Sequence, residues 1–569
     1  MKYRKSVRGI FNVLCLLCLS PLVRAHVLSA GAATQYISEV TPAHDRLEVN
    51  ALVLSDGATT LAFCACDTRG LDDTLLYAVE ARLVAAGSHI PPGHLMLSAT
   101  HTHTGGFSGV MPGALQQMAY GTFARANVDN AADAICRCVS AAESALCPAK
   151  LTFGETSAPE YAINRSDARQ GTDSLLNAMY VERLDGTPLA FLVNYAAHPT
   201  ILFRTEYSEG RDFPAGVEAR IRQAYSAPIP VLYLNGDLGD VAPNPPPGDT
   251  PLRQAILMGE RLGDIALNAV QAATPQADVT LRARCRTIPM PPALLESLAP
   301  REAVLQDFSF GGALFLSLPG EVTTPIGLAL RAEAQKVGVR HTFLCGLTSS
   351  YNGYYPDATE YFRAQYESQM DLYGAELTGW FLKNLFPDDP MTQEQCWQSD
   401  PLLNAHFATF RAAYARGRLH QRVIRKHWAR TRMQIHGVID TMKRFKVMPA
   451  AVKSYAKFVD RDGLKMLGTA FFSYLAREQL VTSMTDEQRV TMMGLADGAQ
   501  LPLDALMIEQ YLRHPRNLPH IARFVLGLTG VTGSDLLARY GSAVPPKYVR
   551  HSKVRQAHKK INAESESIS

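Results

Sequence analysis

The sequence has no apolar run long enough to cross a membrane, hardly any net charge and few cysteines for its length. Its one long apolar stretch, Ile10 to Val23, covers 14 residues, whereas a helix needs about 20 to cross a bilayer core. A formal charge of +3 over 569 residues excludes a nucleic-acid-coating polymer. A hydrophobic share of 47% with 19% charged residues excludes a disordered or collagenous chain and supplies ample core. No internal repeat is evident, and the two C-x-C pairs, Cys64/Cys66 and Cys136/Cys138, lack zinc-knuckle spacing.

Lys2, Arg4, Lys5 and Arg8 stand ahead of the apolar run, and Val23-Arg24-Ala25 closes it on a small residue. This pattern predicts a signal peptide over 1–25 and a secreted or periplasmic protein. Five cations leave with that segment, counting Arg24, which brings the remainder to about −2. A general polyanion-binding role loses its electrostatic basis, so no nucleic-acid partner is expected. Eight cysteines remain: the two pairs, Cys147, Cys285, Cys345 and Cys396. They read as core residues or disulfide halves, and sequence cannot pair them.

From 26 to 390 short β-rich runs alternate with helical patterns: Leu61–Cys66, Leu95–Ser98, Leu189–Tyr195, Val231–Leu234 and Ala313–Leu318. Continuous apolar strands suit a sheet buried on both faces, so the expected class is α/β, a mixed sheet flanked by helices. Pro387-Asp388-Asp389-Pro390 breaks the pattern. A mainly α-helical region is expected over 391–550, with Thr485 as N-cap three residues before Gln488. Residues 551–569 are expected to be a disordered tail. Within the helical region, 401–460 holds thirteen Lys and Arg against Asp440 and Asp460. Such a region is either a solvated helical face or a peripheral contact with an anionic membrane.

Chemistry concentrates at the ends of the apolar runs. Ser98-Ala99-Thr100-His101-Thr102-His103-Thr104, if extended as far as His103, projects both histidines from one face. That geometry suits a metal ligand beside a second, acid–base histidine. His198 follows the run ending at Tyr195, where α/β sheets place ligands. Asn235 to Asn244 is a glycine- and aspartate-rich loop, Glu321 follows another β-rich run, and Tyr351, Tyr354, Tyr355, Tyr361 and Tyr366 form a cluster whose phenols could ligate zinc or stabilise an oxyanion.

In this order the segments resemble the neutral/alkaline ceramidase family, zinc amidohydrolases that cleave the N-acyl bond of ceramide. The family's S-A-T-H-T-H-[ST] stands at 98–104, N-R-S at Asn164-Arg165-Ser166, H-P-T at 198–200 and D-[FY]-P-x-G at Asp212–Gly216. G-D-V-S-P-N appears as G-D-V-A-P-N at 239–244, and G-E-x-T-T and Y-x-G-Y…E-Y…Q-Y-E match Gly320–Thr324 and Tyr351–Glu367. The resemblance implies one zinc per chain held by His101, His198, Glu321 and Tyr354, with Tyr351 as the alternative phenol. It implies catalytic roles for His103, near the metal-bound water or leaving group, for Arg165, at the substrate carbonyl, and for Tyr366. It places Ala242, with Asp240 and Asn244, on the substrate-binding side, and makes an N-acyl lipid the partner.

Ala242 departs from the family, whose serine here is assigned a nucleophilic or oxyanion-stabilising role. A covalent route through this residue is closed, while attack by metal-activated water stays open. Losing one such hydroxyl costs roughly a hundredfold or more in rate. A noncatalytic lipid- or partner-binding descendant, and a zinc hydrolase of other amides or esters, are the rival readings. Gly494 to Leu503 is similar to a stretch of acyltransferase-like N-terminal-nucleophile hydrolases, but no cysteine follows it, and a plain helix–turn–helix is the simpler expectation.

Overall fold

The computed structural model describes residues 27–37, 46–113, 116–117, 120–203, 210–294, 299–388, 391–444, 469, 472–473, 475–477, 480 and 484–512. The expected signal peptide and the expected disordered tail lie outside the described residues. Four of the apolar runs are strands as expected; the fifth, Ala313–Leu318, is a strand through Ser317.

The larger sheet has eight strands: β1 (Ser29–Tyr36), β2 (Glu48–Ser55), β3 (Thr60–Cys66), β4 (Leu95–Ala99), β5 (Cys147–Ser157), β7 (Leu175–Arg183), β8 (Pro188–Tyr195) and β9 (Val231–Asn235). A short β6 (Ala162–Asn164) pairs instead with β10 (Val241–Pro243). The order is β4-β3-β2-β1-β5-β7-β8-β9. Only β3/β4 and β8/β9 are parallel, and helices Asp73–Ala85 and Phe213–Tyr225 bridge those pairs. Twist accumulates across a sheet this wide and brings its edges together. Asn235 at the end of β9 donates to the Thr100 carbonyl just beyond β4, at 3.1 Å.

A second sheet, β11 (Arg282–Pro289), β12 (Glu302–Phe310), β13 (Ala313–Ser317) and β15 (His341–Cys345), packs on the first. Phe63 of the large sheet meets Phe308 and Phe315 of the small one at ring separations of 5.6 and 4.7 Å. Two two-residue strands, β14 (Glu321–Val322) and β16 (Tyr354–Tyr355), pair in parallel with Glu321 opposite Tyr354. Helices Arg125–Ser144, Pro251–Gln271, Thr324–Lys336 and Leu377–Leu385 close apolar clusters outside the two sheets. The architecture is the expected α/β class followed by a helical region.

That helical region shares a core with the α/β part. Ala358, Tyr361, Phe362 and Ala375 lie in one apolar cluster with Trp397, Phe410, Ile424, Met493 and Leu506. Thr485 caps helix Asp486–Ala499 through a complete capping box with Gln488, worth about 1 kcal/mol. The stretch similar to an N-terminal-nucleophile hydrolase is this helix, a left-handed Gln500 and helix Leu503–Leu512, a helix–turn–helix. Its glycines serve contact: a Cβ on Gly494 or Gly498 would lie 2.5 Å from the Phe410 carbonyl or 2.1 Å from that of Tyr414. Helix Phe407–Leu419 therefore crosses it backbone against backbone.

All described cysteines are free thiols. Cys64 and Cys66, in β3, are buried with their sulfurs 4.0 Å apart, core residues rather than disulfide halves.

Candidate active site

The site forms where β4, β8 and β14 end. Strand geometry stops at Ala99, and His101 takes a left-handed φ of 70°. The expectation that an extended chain points both histidines from one face is corrected here. The turn at His101 does the aiming, and its hydrogen bonds hold it: His101 N–H donates to the Thr68 carbonyl (3.0 Å) and Nδ1 to that of Arg69 (2.5 Å). His103 returns toward the same centre, with its Nε2 3.2 Å from that of His101. His198 is fixed in the same way, its N–H (3.1 Å) and Nδ1 (2.8 Å) both donating to the Val241 carbonyl on β10.

Both fully buried imidazoles thus spend the Nδ1 proton on a backbone carbonyl, which leaves Nε2 as an acceptor in the neutral ring. The two Nε2 atoms face Glu321 Oε2, at 3.0 Å from His198 and 3.6 Å from His101. Burial, and next the charge of Arg165, pushes the His198 imidazole down to about 4, so it stays neutral at neutral pH. Burial would raise the Glu321 carboxyl, but the His101 and His198 imidazoles against it hold it well below the usual range. An Nε2 atom that carries no proton and a buried carboxylate turned on it repel unless a cation lies between them. His101, His103 and His198 each offer a nitrogen, all within 4.8 Å of one another. The donor set fits a metal ion.

The tyrosines divide the carboxylate's surroundings. Tyr351 OH donates to Glu321 Oε1 (2.7 Å) and is committed to orienting it. Tyr354, beside Glu321 in the β14/β16 register, has its hydroxyl 3.2 Å from Arg165 Nη2. Burial, and next the charge of Glu321, raises both phenols well above their ordinary range. Tyr366 sits outermost, 53% exposed, with its ring 5.4 Å from that of Tyr354.

Arg165 ties these parts together. Nε donates to Glu367 (2.8 Å) and Nη2 to the Gly239 carbonyl (2.6 Å), and Nη1 lies 3.3 Å from His198 Nε2. Burial would lower the guanidinium, yet Tyr354, Glu321 and Glu367 hold it protonated. His103 lies at the more open side, against Phe203 at 5.0 Å between rings, with its Nδ1 buried and unpartnered. Burial, and next the neighbouring His101 and His198 imidazoles, pushes its imidazole far below the ordinary value.

Ala242 is half-buried on β10 opposite Ile163. Asp240 is fully buried, with one oxygen on Asn164 (2.6 Å) and the other on the backbone and side chain of Thr324 (2.8 Å each). It shapes the loop instead of facing an open surface. Asn244 is exposed and pinned to Tyr161 and Glu160 carbonyls at 2.9 and 2.8 Å. Sequence reasoning missed Glu367, which also accepts from Ser166 Oγ (2.5 Å), and Arg69, whose carbonyl orients His101. The glutamate of Q-Y-E was the available signal for the first; the polar Asp67-Thr68-Arg69-Gly70 turn after β3 was the signal for the second.

One pH effect follows from the buried histidine. An unfolded histidine protonates near 6.5, while folded His198 resists until about 4. Between those values the unfolded state binds more protons at this position, so the contribution of His198 to the stability of the metal-free protein falls as pH falls through this window. For chelator-treated protein, the melting temperature of wild type should fall relative to that of His198→Gln as pH goes from 7 to 4. An equal slope in both would refute the assignment.

Fold and site together define an α/β protein with a buried histidine–carboxylate cluster able to hold a metal ion. Residues 35–205 match the family model of neutral/alkaline non-lysosomal ceramidase, N-terminal, so the resemblance carried by the motifs holds over that segment. The fold is similar to that of the neutral ceramidase from Pseudomonas aeruginosa, at TM-score 0.57 and 18% identity over 64% of this chain and 75% of that one. A ceramidase complexed with C2 is similar at TM-score 0.56 and 18% identity, over 61% and 72% of the two chains. At that identity the structures speak for the fold. No curated protein sequence matches the chain.

Proposed function

We propose that the protein is a zinc-dependent amidase that hydrolyses the N-acyl amide bond of ceramide or a related N-acyl lipid. The observation that carries this reading is the convergence of His101, His198 and Glu321, with both imidazoles locked by backbone carbonyls so that Nε2 faces the carboxylate. The ceramidase-family match over 35–205 supports the substrate class, and the two ceramidase folds support the architecture that carries it. His101, His198, Glu321 and Tyr354 would hold the ion. When bound, zinc supplies an acidified water and Lewis-acid polarisation of the scissile carbonyl.

The chain's own groups do the rest. Arg165, kept charged, faces the carbonyl oxygen as it gains charge. His103, on the open side, carries the proton to the leaving amine. Ala242 contributes no hydroxyl, so stabilising the oxyanion falls to Arg165. Tyr366 borders the entrance.

The test is release of fatty acid from a panel of N-acyl amides and esters by purified protein, with and without a chelator. Chelator-sensitive release from long-chain amides is expected. No release from any of them would favour a noncatalytic binding role, and preference for esters would move the substrate class.

Export of the chain is proposed on the N-terminal pattern of 1–25 alone. Peripheral contact with an anionic membrane is proposed on the outer face of helices Phe407–Leu419 and Gln421–Arg444. Arg418, Arg422, Arg425, Lys426 and Arg430 are exposed there, and no Asp or Glu occurs from 401 to 439. Leu419, Val423 and Met433 stand among them 78%, 43% and 66% exposed, the mixture that seats an interfacial helix. Flotation with phosphatidylglycerol vesicles should exceed that with phosphatidylcholine and fall sharply in Arg422→Glu/Arg425→Glu/Lys426→Glu. Equal flotation of variant and wild type would refute the contact.

A further inference from the structure

Among the described residues the helical region contributes none to the histidine cluster, yet it reaches the site through a buried arginine. Arg477 and Asp504 form a two-point pair, Nε to Oδ1 at 2.6 Å and Nη2 to Oδ2 at 2.5 Å, and Ser473 Oγ adds a bond to Oδ1 at 2.6 Å. Both side chains are buried. The guanidinium lies over the Tyr361 ring at 4.6 Å, and its remaining nitrogen, Nη1, donates to the Ser368 carbonyl.

Ser368 belongs to the one-turn helix Tyr366–Gln369, which has no side-chain cap and follows a left-handed Ala364 at φ 53°. A helix of four residues has no stability of its own, so outside contacts must fix it. On one side Arg477 holds Ser368. On the other, Glu367 holds Arg165 Nε at 2.8 Å and Ser166 Oγ at 2.5 Å. The same guanidinium of Arg165 faces His198 and Tyr354. An unbroken series of contacts therefore runs from Asp504 through Arg477, Ser368 and Glu367 to Arg165.

We propose that the Arg477–Asp504 pair is a positioning element of the active site, by which the C-terminal helical region fixes Glu367 and, through it, the Arg165 guanidinium. Neither residue touches substrate. The kinetic part rests on the hydrolase reading; the structural part does not.

The test removes both charges of the pair together. Arg477→Met/Asp504→Leu exchanges a buried ion pair for apolar side chains, a replacement that is often neutral for folding. Arg477→Lys is the second variant, because an ammonium keeps the pair with Asp504 but lacks the fork that also reaches the carbonyl. Both are expected to melt near wild type and to lose about tenfold or more in kcat, with KM little changed. In a Glu367→Gln background neither should cost anything further, since residues acting in one series are not additive.

Amide hydrogen exchange of 365–371 should quicken in both variants while β5 to β8 keep wild-type rates. Full kcat in a folded variant, losses that multiply with Glu367→Gln, or unchanged exchange over 365–371 would each overturn the proposal. If the wild type hydrolyses no amide, the function proposed above fails, and the exchange measurement alone decides this one.

Discussion

His198→Ala is expected to bind no stoichiometric zinc and to hydrolyse no amide at a measurable rate. His198 is 1% exposed, and its ring is the shared neighbour of Glu321, His101 and Arg165. Removing a hydrogen-bond partner of a metal ligand typically costs 10- to 100-fold in affinity or activity; removing the ligand itself should exceed that. The vacated space would also leave the Val241 carbonyl without the Nδ1 donor it now has at 2.8 Å. Metal analysis of purified protein, with circular dichroism to verify the fold, measures the effect, and His101→Ala/His198→Ala is the stricter version. Unchanged zinc content in the folded double variant would sink the metal assignment.

Arg165→Met should lower kcat by roughly 10²- to 10³-fold, the scale of removing one oxyanion donor. It should lower zinc content far less. Ala242 is the reason to expect so large an effect, since no serine hydroxyl shares the work. The variant also strips Glu367 of its cation, and that carboxylate is 3% exposed, so Arg165→Met/Glu367→Gln should fold better than Arg165→Met while staying slow. Arg165→Lys is not expected to restore the rate. One ammonium cannot span Glu367, the Gly239 carbonyl and the reaction centre together, as the planar fork does. Steady-state kinetics on a soluble short-chain amide decides it; a loss below about threefold would remove Arg165 from catalysis.

Much of the scaffold was legible because burial on both faces leaves a simple trace. Leu95–Ser98 and Val231–Leu234 are uninterrupted apolar runs, and each strand extends one residue further, to Ala99 and Asn235. The helix start at Thr485 was equally readable, because a capping box is a local exchange of hydrogen bonds within four residues. The histidine turn was not. Whether His101 continues the strand or takes φ 70° depends on carbonyls of Thr68 and Arg69, some 32 residues away in sequence.

By itself the sequence determined the strand-rich first part, the helical second part and the residue types of the candidate metal site, since local periodicity and ordered motifs encode those. Tertiary structure alone decided which of these residues meet. Glu321 and His198 are 123 positions apart, and Arg165 and Glu367 are 202 apart. Contacts at that range follow from sheet twist and from the packing of the helical region on 358–376, neither of which leaves a periodic signal in the chain.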